Sequence, residues 1–173
     1  MSEEHPVGSA EAVIATLGLV PHPTCGYAAV THQLFQRDIR GLDGAAVTDR
    51  AMASVLYFLV TPEAPLRLHR IPTPQMYHHY FGRSLEVLLL YPDGTGEVAA
   101  LGPDIAGGAR PQLLIPAATW HVSHVLDEHG FALLGTTEWG SFDAGELELG
   151  DLLTLEGEYP AFQRHLRSLA GGG

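Results

Sequence analysis

Histidine is the residue with the most capacity for chemistry in this chain. The sequence contains 10 His, and several lie in apolar segments rather than in one tract: His32, His69, His78, His79, His121 and His124. Imidazole titrates near neutral pH, so it can transfer a proton or bind a metal ion. Each of these residues is either part of a site or simply exposed or hydrogen-bonded for structural reasons.

Side-chain alternation along extended strands groups these residues by face. Two faces are defined in this way: Gln75, Tyr77 and His79 share one side of a strand, and His121, Ser123 and Val125 share one side of another. Periodicity alone does not identify which face is the interior. An independent reference is needed to choose between them.

The segments that carry these residues are short, apolar and separated by Gly, Pro and Asp, which is typical of an antiparallel sandwich or barrel. Strands are predicted near 27–36, 51–60, 66–71, 75–81, 84–91, 96–102, 110–115, 119–126 and 131–138. Helical spacing predicts a short helix over 10–18 and a C-terminal helix after Asp151, interrupted at Pro160 and packed outside the sheet. We expect one domain over 11–170, with loose tails at 1–10 and 171–173.

The net charge of the chain limits the classes of molecule that it could bind. The chain has 20 Asp and Glu against 9 Lys and Arg, a formal net charge of -11, and no basic cluster. Nucleic acid and an anionic membrane surface would therefore be repelled. The longest near-continuous apolar run, 51–60, is about half the length that a membrane-spanning helix requires. We expect neither a nucleic-acid partner nor a membrane segment.

The single cysteine and the absence of common catalytic motifs limit the cellular compartments and the classes of reaction to be considered. The one cysteine, Cys25, cannot form an internal disulfide, and no signal-peptide pattern precedes it. These features predict a cytoplasmic, reduced protein. Cys25 itself lies in a Gly- and Pro-containing turn, where it is either a reactive thiol or a buried, inert residue. No nucleophile elbow, phosphate loop or dinucleotide fingerprint is present, so hydrolases, kinases and nicotinamide enzymes have little support.

Four segments resemble the cupin superfamily, and more narrowly its cupin-5 branch. They are 22–27 (HPTCGY), 55–60 (VLYFLV) leading to 69–71 (HRI), 77–82 (YHHYFG) and 115–120 (IPAATW). The resemblance extends from about Leu17 to the C-terminal helix, and it depends on the order and spacing of all four segments. It implies a mainly β fold, a single cupin-like antiparallel β-barrel of about eight to ten strands with a short N-terminal helix and a C-terminal helix.

The resemblance also implies a position for metal ligands. The first cupin motif supplies His and Glu ligands, and the second supplies a further His. His69 matches a first-motif ligand and His121 matches the second-motif ligand, whereas Gln75 stands at the Glu position. The same match points these side chains into the barrel: Gln75, Tyr77, His79, His121 and Ser123.

Loss of the carboxylate has a physical consequence for metal binding. A neutral amide does not offset the desolvation of a divalent cation as a carboxylate does. We therefore expect no metal cofactor. The alternative is one divalent ion, such as Zn or Ni, held by His69, Gln75 and His121, with His79 as a further nitrogen donor.

Glu138 is the carboxylate that could act together with these groups. It lies in 133–139, a segment otherwise free of charge. If its side chain points inward, burial raises its pKa and makes it a usable general acid or base. If it lies at the strand end in water, it is an ordinary surface residue. Arg67, two residues before His69, could pair with it, and Glu86 is a weaker candidate expected on the solvated face.

These features predict a metal-independent cyclase or isomerase that uses general acid and base groups on an apolar natural product in a barrel cavity. The predicted catalytic residues are His69, Gln75, Tyr77, His121 and Glu138. The predicted substrate-binding residues are Arg67, His79, Ser123, Tyr57 and Trp120. The chain resembles small barrel cyclases of polyketide antibiotic pathways, which close a dihydroxy ketone into a spiroacetal.

Two other classes of function remain open at this point. One is a metal-dependent cupin that acts as an isomerase, an epimerase or a dioxygenase. The other is a non-catalytic cupin that binds a small molecule. Because cupin-like sheets commonly pair through an edge strand or an outer face, the resemblance also implies a homodimer.

Overall fold

The structure, a computed structural model, describes residues 8–35, 51–125, 127, 129–140 and 144–170. Most of the predicted N-terminal tail and all of the predicted C-terminal tail lie outside these ranges. The strands are β1 (Val20–Pro21), β2 (Tyr27–Phe35), β3 (Ala51–Val60), β4 (Leu66–Arg70), β5 (Gln75–Gly82), β6 (Leu85–Leu90), β7 (Gly96–Leu101), β8 (Gln112–Ile115), β9 (Trp120–Val125), β10 (Ala132–Trp139) and β11 (Glu148–Leu149). The helices are α1 (Ala10–Leu17), α2 (Leu152–Glu158) and α3 (Gln163–Ala170), with 3-10 turns at Ala144–Glu146 and Pro160–Phe162.

The described strands form two sheets, and all the strand pairs within them are antiparallel. One sheet has six strands in the order β1-β2-β3-β10-β5-β8, and the other has five in the order β11-β4-β9-β6-β7. The mainly β fold with short N-terminal and C-terminal helices is confirmed, and each predicted strand is present within two residues of its predicted ends. β1 and β11 were not predicted, because a two-residue strand carries no alternation.

A continuous apolar core lies between the two sheets. Phe58 and Leu134 from the six-stranded sheet pack in one cluster with Val87 and Leu89 from the five-stranded sheet. Successive side chains of a strand point to opposite faces, so every second residue of these strands enters this layer. Burial of apolar area in the layer is the main favourable contribution to folding. We call the space between the sheets the interior.

The central strands of both sheets are also covered on their outer faces, which is why these strands are apolar on both sides. On the five-stranded sheet, Leu88 packs with Leu155 of α2 and Leu166 of α3. On the six-stranded sheet, Leu59 and Val13 of α1 belong to one cluster. The C-terminal helical segment lies outside the sheet as predicted, and it is divided near Pro160 because proline has no amide hydrogen to continue a helix. Among the helices in the described ranges, none has the length and apolarity needed to cross a membrane.

A tight turn over 22–26 joins β1 to β2. Gly26 has a φ of 62°, in the left-handed region that favours glycine. A Cβ on Gly26 would collide with the carbonyl oxygens of Leu59 and Ala64. The turn therefore packs against the end of β3 through a position where no side chain fits.

Gly26→Ala should lower the free energy of unfolding by about 3 kcal/mol or more, because left-handed backbone strain adds to contact with two carbonyl oxygens. Gly94→Ala is the matched control, since Gly94 has a φ of 86° but nothing within 4 Å of its added Cβ. The control should cost only about 1–2 kcal/mol. Urea denaturation followed by tryptophan fluorescence measures both variants. Equal losses would contradict the close packing at Gly26.

Candidate functional site

Polar side chains from four strands meet at one end of the interior. They are His69 on β4, Gln75 and Tyr77 on β5, His121 on β9 and Glu138 on β10. The first four have exposed fractions of at most 4%, and Glu138 is half-buried. The fold therefore brings together the five residues that the sequence predicted as catalytic. We call these five residues the interior cluster.

The two imidazoles of the cluster contact each other across the β4–β9 pair, with their ring planes inclined at 54°. His69 is opposite His121 in the register, and their ring centroids are 4.1 Å apart. His69 Nδ1 lies 2.7 Å from the Arg67 carbonyl oxygen, and His121 Nδ1 lies 3.1 Å from that of Thr119. A carbonyl oxygen only accepts hydrogen bonds, so each Nδ1 carries the proton and each Nε2 keeps its lone pair.

Burial keeps both imidazoles neutral. Desolvation lowers the pKa of His69 to about 4. Desolvation, together with the neighbouring His69, lowers the pKa of His121 well below its ordinary value. At neutral pH both rings are therefore hydrogen-bond acceptors at Nε2 rather than cations.

Two donors point at the lone pair of His121. The Tyr77 hydroxyl donates to His121 Nε2 at 3.0 Å, and the Gln75 amide donates to the same atom at 3.3 Å. The Thr136 hydroxyl donates to Gln75 Oε1 at 3.4 Å, which directs the amide nitrogen of Gln75 toward the imidazole. Burial raises the pKa of Tyr77 well above its ordinary value, so the phenol keeps its proton and serves as a donor.

Glu138 lies on the inner side of β10. It pairs with Gln75 on β5 and with Ser54 on β3. By its spacing along β10 it shares a face with Leu134 and Thr136, which is the face toward the interior. Burial raises the pKa of Glu138 from 4.5 to about 7. A carboxyl group with this pKa is partly protonated at neutral pH and can both give and take a proton.

Two of the predicted substrate-binding residues, Ser123 and His79, face the interior between the two sheets. Ser123 lies two residues from His121 on β9, is fully buried, and its hydroxyl has no hydrogen-bond partner among the described residues. His79 is opposite Leu134 and donates from Nε2 to the Arg83 carbonyl oxygen at 3.0 Å. It lies about 13 Å further along β5 than Gln75, so it is not part of the interior cluster.

The other three residues predicted to bind substrate, Arg67, Tyr57 and Trp120, do not face the interior. An irregularity between Leu66 and His69 breaks the alternation of β4, so Arg67 is exposed and donates to the Pro23 carbonyl oxygen at 3.2 Å instead of sharing the face of His69. Tyr57 lies on the outer face of the six-stranded sheet, in the cluster with α1. Trp120 lies on the outer face of the five-stranded sheet beneath α2 and α3.

Sequence reasoning missed the turn between β1 and β2 as a contributor to this region. His22 Nδ1 lies 3.0 Å from the Cys25 sulfur. Cys25 packs against the interior core, and the lowered pKa of His69, which is due mainly to burial, has a smaller electrostatic contribution from His22. The 22–27 segment was visible only as part of the family resemblance, because a turn has no periodicity that would assign it to a face.

The interior cluster does not match the donor set of a metal-binding cupin. Within the ranges that the structure describes, no group of three or more His, Cys, Asp or Glu side chains could hold a metal ion. Gln75 offers an amide in place of a carboxylate, and the lone pair of His121 Nε2 accepts from Tyr77. The cluster instead combines neutral hydrogen-bond acceptors, a phenol and a carboxyl group of raised pKa.

Gln75→Glu should strengthen the binding of a divalent metal ion at the interior cluster. The new carboxylate would lie beside two imidazoles and offset the charge of a bound cation, so the affinity for Zn²⁺ should rise at least about tenfold. Isothermal titration calorimetry measures this affinity, with Gln33→Glu on an exposed part of β2 as the matched control. If the natural chain bound Zn²⁺ as tightly as the variant, the donor-set argument would be wrong.

The raised pKa of Glu138 predicts a pH dependence of stability. Between pH 4.5 and about 7 the folded chain holds a proton that the unfolded chain has released, so the contribution of Glu138 to stability falls as pH rises through this window. The free energy of unfolding of the natural chain, relative to Glu138→Gln, should therefore be greater at about pH 5 than at about pH 8. The exposed Glu63→Gln is the control for urea denaturation. A pH-independent difference would contradict the buried position of the carboxyl.

Known proteins share this fold. Residues 11–150 match the family model Cupin_5, described as Cupin superfamily (DUF985). The chain is similar to protein SO0799 from Shewanella oneidensis, at 26% identity over 94% of this chain and 98% of that one, with a TM-score of 0.80. It is also similar to a hypothetical protein from Leishmania major, at 23% identity over 94% and 99% of the two chains, with a TM-score of 0.79.

A more distant likeness concerns the fold alone. A variant of Bacillus subtilis oxalate decarboxylase shares 15% identity over 87% of this chain and 37% of that one, with a TM-score of 0.50. No curated protein matches the sequence. The family model covers most of the chain and includes every residue of the interior cluster. The chain therefore belongs to the Cupin_5 family of the cupin superfamily.

Proposed function

We propose that this protein is an enzyme that transfers protons to and from a small, largely apolar substrate held in its interior. In its most concrete form, it is a metal-independent cyclase or isomerase that forms a spiroacetal from a dihydroxy ketone in polyketide biosynthesis. The observation that carries the proposal is the hydrogen bond from Tyr77 to neutral His121 in the same cluster as Glu138. Proton donors and acceptors of different basicity converge there in one buried cluster.

The apolar residues of the interior favour an apolar substrate. Beyond the polar cluster, the interior is packed with aliphatic and aromatic side chains: Phe58, Val60, Leu66, Leu85, Val87, Leu89, Leu101 and Leu134. In this proposal the carbon skeleton of a polyketide chain with a few oxygen atoms contacts these residues. Its oxygen atoms would then lie at the polar end, because an unpaired polar group among the apolar residues is costly.

Glu138 is the proposed general acid. Loss of water from a hemiacetal requires a proton on the departing hydroxyl, and a neutral carboxyl of pKa about 7 has that proton available near neutral pH. Protonation breaks the carbon–oxygen bond, releases water and leaves a cationic carbon. The Glu138 carboxylate formed in the same step lies close enough to offset that positive charge.

His69 is the proposed general base. Its Nδ1 proton is held by the Arg67 carbonyl, so Nε2 is the atom that can accept the proton of the attacking hydroxyl. The pKa of about 4 makes this imidazole a weak base on its own. Once Glu138 has become anionic, imidazolium formation restores neutrality in the interior, so the two proton transfers assist one another.

Tyr77 and His121 have a positioning role in this proposal. The Tyr77 hydroxyl donates its hydrogen bond to His121. The lone pairs of its oxygen therefore remain available to accept a hydrogen bond from a substrate hydroxyl. Two rings that hold each other in place lose little freedom when the substrate binds, which favours a productive geometry. Gln75, which donates to the same imidazole, supports this arrangement.

The atoms of the proposed reaction balance without a co-reactant. The first hydroxyl adds to the ketone to give a hemiacetal, and the hemiacetal hydroxyl leaves as water with the proton from Glu138. The second hydroxyl then forms the new carbon–oxygen bond and gives its proton to His69. Return of that proton to Glu138 restores the enzyme, so the substrate loses one water in total.

The proposal predicts turnover of a linear nine-carbon ketone with its carbonyl at the middle carbon and a hydroxyl at each end. Its spiroacetal is chiral, so an excess of one enantiomer by chiral gas chromatography separates enzymatic from spontaneous closure. Glu138→Gln and His69→Gln should each lower kcat by about 10²-fold or more. The rate should fall above about pH 7, as Glu138 loses its proton.

Glu86→Gln is the matched control. Leu85 and Val87, the neighbours of Glu86 in β6, face the interior, so Glu86 lies on the outer face of the sheet. Racemic product at the spontaneous rate would overturn the cyclase. Activity that requires added metal and is lost with a chelator would favour a metal-dependent cupin instead. Thermal stabilisation by the spiroacetal without any turnover would favour a non-catalytic binding protein.

A further inference from the structure

The turn over 22–26 is held firmly against β4, beside the interior cluster. Cys25 forms an isolated antiparallel bridge with Leu66, and the Arg67 amide donates to the Thr24 carbonyl oxygen at 2.8 Å. Within the turn, the His22 amide donates to the Gly26 carbonyl oxygen at 2.8 Å. Leu66 belongs to the interior core, so the turn continues the inner surface of the five-stranded sheet.

Three donors converge on one nitrogen of His22. His22 Nδ1 lies 3.4 Å from the Thr24 amide nitrogen, 3.3 Å from the Thr24 hydroxyl and 3.0 Å from the Cys25 sulfur. A backbone amide only donates, so Nδ1 is the acceptor and the neutral ring carries its proton on Nε2. His22 is therefore the opposite tautomer to His69 and His121.

The Cys25 thiol has a part in this arrangement as a donor. Burial, with a smaller contribution from Glu138, raises the pKa of Cys25 to about 12. The thiol therefore stays protonated near neutral pH and donates to His22 rather than acting as a nucleophile. The packing of Cys25 on the interior core and its bridge with Leu66 place the turn next to the interior cluster.

We infer that His22 is a substrate-binding residue of this site, which donates from Nε2–H to an ether, acetal or carbonyl oxygen, with Thr24 and Cys25 as the residues that fix its tautomer. The inference rests on the proposed function and deepens it. The substrate's hydroxyls, which can donate, would be matched by Nε2 of His69. Its carbonyl or acetal oxygen, which can only accept, would be matched by Nε2–H of His22.

The complementary tautomers define a substrate class. Two imidazoles that present opposite hydrogen-bonding atoms suit a molecule with both a donor and an acceptor oxygen. A hydroxy ketone or a cyclic hemiacetal has this pattern, whereas a hydrocarbon or a simple carboxylate lacks it.

The test uses the full chain labelled with ¹⁵N at histidine, and the spiroacetal with two six-membered rings as probe. This probe has only acceptor oxygens, so it can bind His22 but cannot donate to His69. We expect the spectrum of the free protein to show His22 protonated at Nε2, and added spiroacetal to shift that signal. His22→Gln should weaken spiroacetal binding about tenfold, whereas the exposed His32→Gln should leave it unchanged.

Cys25→Ser and Cys25→Ala keep the inference testable if His22→Gln fails to fold. The serine hydroxyl can still donate to Nδ1, so Cys25→Ser should retain the His22 tautomer and the affinity for the spiroacetal. Cys25→Ala should retain the fold, which Trp fluorescence monitors, with a smaller probe-induced shift at His22.

The outcomes separate this inference from the proposed function. A spiroacetal that binds without moving the His22 signal, or a His22 protonated at Nδ1, would overturn the inference. A shift at His22 in a protein that does not convert the dihydroxy ketone would support the inference as a binding site and overturn the cyclase. Conversion of the ketone with unchanged spiroacetal affinity in His22→Gln would overturn the inference and leave the cyclase standing.

Discussion

The neutrality of His121 is the condition on which the rest of the interior cluster depends. Its Nδ1 proton is committed to the Thr119 carbonyl, and its burial opposes a second proton. Only a neutral ring with this tautomer offers a lone pair to the Tyr77 hydroxyl. If the ring were charged, Tyr77 would lose its acceptor and a cation would be buried, which is costly. The orientation of Tyr77, the direction of the Gln75 amide and the acid–base balance with Glu138 all follow from that one uncharged imidazole.

The two-sheet frame supplies this condition through strand register. The β4–β9 pair sets His69 against His121, and the β5–β10 pair sets Gln75 beside Glu138. Each pair belongs to a different sheet, so the acids and bases reach one another only across the interior. His69, Gln75, Tyr77 and His121 are all buried between these sheets, which strengthens the electrostatic interactions among them. The same frame would suit a metal centre if a carboxylate stood at position 75, so the chemistry of the interior depends on one side chain more than on the fold.

Much of the fold and part of the site were predictable from sequence, for identifiable reasons. The strands follow from alternation and from turn residues, and the inner faces of β5 and β9 follow from that alternation once the family resemblance selects a side. Arg67 could not be placed, because the irregularity in β4 comes from pairing with β9 rather than from local sequence. Trp120 and Tyr57 were misplaced because both sheets are covered on both sides, so a large aromatic residue fits equally well inside or outside. The burial of Glu138 and the docking of His22 depend on tertiary contacts that no periodicity encodes.

The positions of the protons around His121 determine the chemistry of the interior cluster, and neutron diffraction from a deuterated crystal observes them directly. We expect deuterium on Nδ1 of His121 and none on Nε2, with the Tyr77 deuteron directed at Nε2. The same map should show His69 with deuterium on Nδ1. A cation at about 2.0–2.2 Å from Nε2 of both rings, or a Tyr77 hydroxyl turned away from His121, would contradict the account.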